Sequence, residues 1–262
     1  MRFFDSHCHL FMDPLGRDPG AAVAAAREAG VVRMLVPAVD TASWDAIRAL
    51  SGLPGIHAAY GLHPWDAAAG LDVSLLRDTL AGGGAVAVGE IGLDSKADGS
   101  PMVLQERVFT EQLELALEMG LPVVLHCRGA FDAMLSMLSD PPFRGRLHGV
   151  VHAFSRGIEL ARRFLDLGYL LSFGGAVTRP GAHSAREAAA FVPADRFLLE
   201  TDAPSIGLDG VEPGDTGPAH VVRVAAAMAS IRGVPLAEIA GSSWLAACGL
   251  FGIDPGDGSP DA

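Results

Sequence analysis

Two histidines separated by one residue, His7 and His9, follow a short apolar run that begins at Phe3. If that run is a strand, its side chains alternate, so both imidazoles face one way about 7 Å apart while Cys8 faces the other. Two neutral imidazoles on one face can grip a divalent ion. Four further groups end other apolar runs: Glu90, His126, His152 and Asp202. In the run 85–91, alternation puts Val86, Val88 and Glu90 on one face with the acid at the top. Each has a bland alternative, a hydrogen-bonded strand-end histidine or a turn-forming Asp before Ala203-Pro204. Together, four imidazoles and two carboxylates form a mixed donor set that suits zinc, manganese, iron or nickel, whereas a magnesium site usually takes fewer nitrogens. Six ligands exceed what one tetrahedral ion needs, so two ions roughly 3.5–4 Å apart, bridged by one carboxylate, account for the set best. Glu90, central in chain order, is the expected bridge.

Something must bring these residues together. Short β-branched runs at 3–7, 31–37, 56–62, 85–91, 122–126, 149–153, 169–173 and 196–201 alternate with helical stretches near 20–29, 41–51, 72–81, 102–119, 130–139, 156–167, 183–191 and 217–231. Strand then helix repeated eight times predicts a single-domain α/β fold, a TIM (β/α)8 barrel over residues 1–253, with 235–251 as an extra C-terminal helix packing outside. Residues 254–262 read as a frayed tail. Barrel enzymes carry their reacting groups at the C-terminal ends of the strands, where these six residues fall. An open doubly wound sheet would be expected to carry a Gly-rich turn after its first strand; His-Cys-His stands there instead.

Composition narrows the function classes. The 262 residues are 50% hydrophobic and 19% charged, which excludes a disordered chain or a small disulfide scaffold. The net charge is −12, and the basic residues, eighteen Arg and the single Lys96, form no run. A DNA-coating or membrane-surface role needs clustered cations, so neither is expected, nor is an extended DNA-binding surface. Cys8, Cys127 and Cys248 are odd in number and far apart, and the N-terminus lacks an apolar leader core, so a cytoplasmic protein is expected.

Six motifs in order, Asp5-Ser6-His7-Cys8-His9-Leu10, Gly61-Leu62-His63-Pro64, Gly89-Glu90-Ile91-Gly92-Leu93-Asp94, Leu125-His126-Cys127-Arg128, His152-Ala153-Phe154-Ser155 and Glu200-Thr201-Asp202-Ala203-Pro204, resemble the TatD family of metal-dependent hydrolases, within the amidohydrolase superfamily. The resemblance implies a TIM barrel whose two divalent ions (zinc, manganese or magnesium) are held by His7, His9, Glu90, His126, His152 and Asp202. It implies phosphodiester hydrolysis, as a deoxyribonuclease, with His63, Arg128 and Ser155 near substrate. Arg128 can take two phosphate oxygens at once. Asp202, as ligand and general base, and Glu90 are the expected catalytic groups toward a water acidified by the metal.

The sequence also departs from the family. Where an aromatic residue usually follows Asp94, the chain has Ser95-Lys96, which removes the expected stacking platform and puts Lys96 beside the site with Asp94 as a further substrate contact. Beyond Asp202, a loop with Asp209, Glu212 and Asp215 replaces a more basic one. A short nucleic acid or small phosphodiester is therefore the expected substrate. The alternatives are an amidohydrolase or esterase acting on a small molecule, and a catalytically silent metal-binding protein. Trp44, Trp65 and Trp244 read as packing residues, with Trp65, two after His63, also placed to line the mouth.

Overall fold

A computed structural model describes residues 1–256. The tail expected over 254–262 lies outside the described residues from 257 onward. Before that, the Pro255 carbonyl accepts hydrogen bonds from Arg2 and from the Trp244 indole N–H, both at 3.2 Å.

Eight parallel strands form one sheet in sequence order, each paired with the next: β1 (Phe3–Asp5), β2 (Val31–Pro37), β3 (Ile56–Tyr60), β4 (Ala85–Asp94), β5 (Val123–Arg128), β6 (Gly149–Val151), β7 (Leu170–Phe173) and β8 (Phe197–Leu199). Helices α1 (Pro19–Glu28), α2 (Ser43–Leu50), α3 (Val73–Ala81), α4 (Met102–Met119), α5 (Phe131–Leu138), α6 (Ile158–Asp166), α7 (His183–Phe191) and α8 (Val221–Arg232) follow the strands in turn, and α9 (Leu236–Phe251) ends the fold. This is the expected TIM barrel. No single helix among the described residues is long and apolar enough to cross a membrane.

The strands bury both faces, which is why their sequences are near-continuous apolar runs. One residue from each strand, Phe4, Leu35, Ala59, Ala87, Val124, Val150, Leu170 and Leu198, packs into an inner cluster. The extra helix belongs to that cluster through Trp244, Ala247, Cys248, Leu250 and Phe251, with the Phe4 ring 6.3 Å from Trp244 and 6.0 Å from Phe251. Contrary to the sequence expectation, α9 does not pack on the outside but plugs the end of the barrel opposite the site. One face of the helix, with Trp244, Ala247, Cys248, Leu250 and Phe251, is buried against the inner ring, while Leu245 on the other face is 62% exposed.

Two residues further along the strands, the same inward alternation brings up polar groups. Ser6 follows Phe4, His126 follows Val124, His152 follows Val150, Ser172 follows Leu170 and Glu200 follows Leu198; Ser6 and Ser172 touch across the barrel at 3.0 Å. The layer that carries the chemistry is thus built directly on the inner apolar ring.

Glu90 breaks this rule, and the alternation expected for Val86, Val88 and Glu90 is not what forms. Ala87 joins the inner ring, Val88 packs in the outer, helix-facing core, and the β4–β5 register shifts between Val88 and Ile91. The shift turns Glu90 inward. Two glycines permit it: a Cβ on Gly89 would lie 2.6 Å from Val124 Cβ, and one on Gly92, whose φ is +147°, would lie 2.0 Å from the His126 carbonyl oxygen. Gly92→Ala is therefore expected to lower stability by about 2 kcal/mol or more, seen as a lower urea midpoint, and to reduce retained metal by displacing His126.

Candidate metal centre

The β8–β1 seam is closed above the strands by the chain that carries the site. Ser6 N–H donates to the Leu199 carbonyl (2.9 Å), Asp202 N–H to that of His7 (2.8 Å) and His9 N–H to that of Ala203 (2.7 Å). Buried Asp5 locks the seam: its carboxylate accepts from the Thr201 N–H (2.9 Å), the Thr201 hydroxyl (2.6 Å) and the His7 N–H (3.3 Å). One carboxylate thus fixes His7, His9 and Asp202 relative to one another.

All six expected ligands converge. The Nε2 atoms of His7 and His9 lie 3.2 Å apart. Glu90 Oε2 is 3.2 Å from His7 Nε2 and 3.7 Å from His9 Nε2, while Asp202 Oδ1 is 3.8 Å and 3.3 Å from the same atoms. On the other side, Glu90 Oε1 is 2.9 Å from His126 Nδ1, 2.7 Å from His152 Nε2 and 3.4 Å from His63 Nε2. Glu90 therefore stands between two groups of imidazoles, one oxygen toward each. Three sets, His7 with His152 and Asp202, His7 with His9 and Glu90, and His63 with Glu90 and His126, hold their donor atoms within 4.8 Å of one another.

These residues fit a divalent cation. His9 Nδ1–H donates to the Pro37 carbonyl at 3.1 Å, which leaves its Nε2 lone pair bare and aimed at the His7 nitrogen and two carboxylates. Buried lone pairs packed this closely repel unless positive charge lies among them. Burial by itself would raise the Glu90 pKa, but its imidazole neighbours, His152 and His7 first, hold it well below the usual range, and His9 and His7 do the same for Asp202. Both carboxylates are thus ionised and available to a cation.

His63 is positioned differently. The Trp65 N–H donates to His63 Nδ1 at 3.2 Å, so a neutral His63 carries its proton on Nε2, facing Glu90. Burial lowers its pKa to about 4, which keeps it neutral near pH 7. In that tautomer it is a hydrogen-bond donor into the site, a role in keeping with a substrate contact.

Asp94, expected to face substrate, is sealed from solvent. Its oxygens accept from Trp65 Nε1 (2.7 Å), Arg128 Nε (2.9 Å to each oxygen) and the Lys96 N–H (2.9 Å), and lie 3.2 Å from His126 Nε2. Despite burial, these bonds hold the Asp94 pKa below the usual carboxylate range. Asp94 orients other groups instead of meeting substrate, because its acceptors are occupied by protein donors. Lys96 contributes its backbone N–H; its exposed side chain lines neither cavity over the centre.

Those two cavities, about 250 Å³ each, adjoin over the ligands and share His126, Arg128, His152, Asp202 and Ile206. Half-exposed Arg128 stands on the wall of both, and Ser155 lines one. Only Ser205 and Ile206 of the acidic loop reach them, whereas exposed Asp209, Glu212 and Asp215 do not. Cys127, beyond His126, has its thiol pKa pushed up to about 12 by burial, and it stays a protonated wall residue.

Sequence reasoning passed over Asp5, Glu200 and Arg156. Glu200 Oε1 accepts from the Ala153 N–H at 2.5 Å and lies 3.7 Å from His152 Nδ1, behind that ligand. It also steadies strained backbone, since Ala153 (φ +47°) and Asp202 (φ +51°) both adopt a conformation that L residues disfavour. Asp5 and Glu200 each stand two residues before a ligand, so the period-2 spacing was a usable signal. Arg156 gave none: it lines a cavity with its guanidinium 5.0 Å over the Phe131 ring.

A barrel with imidazoles and carboxylates converging at the C-terminal ends of its strands defines a metal-dependent hydrolase. The chain matches the family described as TatD related DNase over residues 4–252. It is 39% identical to an uncharacterized metal-dependent hydrolase, YjjV, of Escherichia coli K12 over 91% of this chain and 93% of that protein. It is 34% identical to a protein of Klebsiella pneumoniae named 3'-5' ssDNA/RNA exonuclease TatD, over 96% and 98% of the two chains. The crystal structure of E. coli YjjV superposes with a TM-score of 0.91 at 35% identity, covering 97% of this chain and 99% of that one. The chain belongs to the TatD family.

Two substitutions test the supporting carboxylates. Asp94→Asn and Asp5→Ala, which touch the ligands without being ligands, are each expected to weaken metal binding or turnover about 10–100-fold. Metal titration with a competing chelator, beside a thermal melt, separates this from unfolding.

Proposed function

We propose that the protein is a phosphodiesterase of the TatD type acting on short nucleic acids or small phosphodiesters, with two divalent ions, zinc, manganese or magnesium, at its centre. The observation that carries this reading is Arg128. Its Nε is bound by both oxygens of buried Asp94, which points a half-exposed guanidinium into cavities that also contain His126, His152 and Asp202. A guanidinium fixed in this way is matched to a tetrahedral oxyanion beside the metal ligands. The exonuclease name carried by the Klebsiella relative supports the same chemistry.

With one oxygen toward His7 and His9 and the other toward His126 and His152, Glu90 would hold the ions together with these histidines and Asp202, which fits its expected place between the ions. A bound divalent ion would supply Lewis acidity toward the phosphate and acidify water. Asp202, ionised and 7% exposed, lines the cavity, where its carboxylate can take a proton from a water attacking phosphorus. His63 donates from Nε2, and Arg128 offsets charge developing on phosphate. The small cavities support short substrates and no extended DNA-binding surface, and three unpaired cysteines support a reducing, cytoplasmic setting.

Hydrolysis of bis(p-nitrophenyl) phosphate and of single-stranded DNA, with zinc, manganese or magnesium and with chelator, tests the reading against a panel of acyl esters and amides. Metal-dependent turnover of phosphodiesters is expected. Asp202→Asn and His126→Ala should reduce it by at least about 10³-fold with the melting transition retained. Turnover of esters or amides alone would move the assignment to a small-molecule amidohydrolase or esterase.

A further inference from the structure

Trp65 is 48% exposed, while the other two tryptophans, Trp44 and Trp244, are buried at 4% and 5%. It is nevertheless held from three sides. Its indole N–H donates to buried Asp94 at 2.7 Å, its backbone N–H donates to His63, and its ring packs edge-on against the His63 ring with centroids 4.4 Å apart. The ring lines the cavity that contains Glu90, Arg128 and Asp202, with its centroid 6.2 Å from that of His126. A large aromatic surface left in water and yet locked in orientation is prepared for a flat partner, since binding then costs little further side-chain ordering.

We propose that Trp65 is the stacking platform of this site, and that the substrate is a phosphodiester bearing a nucleobase or other planar aromatic group next to the scissile phosphorus. The inference rests on the phosphodiesterase reading and refines its substrate class. It also replaces the expectation that the platform is missing: the aromatic residue lies after His63-Pro64 instead of after Asp94, and Asp94 ties the two positions together. The geometry suits one base: the same Asp94 carboxylate that fixes the indole fixes Arg128, so base and phosphate sites are set in register by one buried group. Stacking on a π-face is tolerant of base identity, so little discrimination among the four bases is expected.

Two substrates with a common leaving group separate stacking from a merely structural tryptophan: the p-nitrophenyl ester of thymidine 5'-monophosphate, and methyl p-nitrophenyl phosphate. Wild type is expected to favour the thymidine ester, and Trp65→Leu to cut that preference about tenfold, chiefly through KM, with Trp65→Phe retaining most of it. If both variants slow the two substrates equally, Trp65 only positions Asp94 and the proposal is overturned. Binding is read independently by tryptophan fluorescence. Thymidine monophosphate should quench wild-type emission, and the quench should vanish in Trp65→Leu; absence of quenching in wild type sinks the stack. Failure to turn over either ester counts against the phosphodiesterase reading alone, because the quench still reports on stacking.

Discussion

The organising constraint is the packing of imidazole nitrogens and ionised carboxylates against one another, buried at the barrel mouth. Such a cluster needs positive charge to balance it, because two ionised carboxylates and several nitrogen lone pairs are gathered away from solvent. A divalent cation reverses the sign of the interaction, and metal affinity then becomes part of the stability of the site. Much else in the structure serves to keep these groups where a cation would hold them. Asp5 ties the first strand to the last, Glu200 backs His152, the Pro37 carbonyl fixes the His9 tautomer, and Asp94 stands behind His126.

Asp94 has the widest reach of these supports. It joins His126, the half-exposed Arg128 and the exposed Trp65 through one buried carboxylate. Charge and hydrogen bonding keep it ionised although it is sealed from water. A group of this kind sets distances between subsites that are far apart in sequence. The barrel gives it a rigid base, since the inner apolar ring and the plug formed by α9 leave no room for the strands below to shift.

The acidic balance of the chain takes on a local meaning in this setting. A charge of −12 with no basic cluster disfavours a long polyanion bound along the surface. It is compatible with chemistry on one phosphate, because two divalent ions would place about +4 at the mouth. The acids of the 206–215 loop, which by sequence would crowd substrate, do not line the cavities; Ile206 does.

Much of this was legible in the residues. Eight alternating strand and helix signals determine a barrel because a strand buried on both faces must be apolar throughout and each helix must return the chain for a parallel partner. His-x-His and single polar residues at the ends of apolar runs mark the ligand layer, because barrel topology brings those ends to one rim. Period-2 patterning could not place Glu90, whose inward turn depends on a register shift that Gly89 and Gly92 permit only against β5. Nor could it place α9 across the end of the barrel, since the apolar residues of a helix state that a face is buried without stating against what. The sequence determined which donors exist and on which rim they gather. Only the tertiary structure decided which ring nitrogen of His9 and His63 faces the site, which carboxylates stand among the imidazoles and which behind them, and that Trp65 faces the site, because these depend on contacts between segments whose spacing in the chain carries no information about their distance in space.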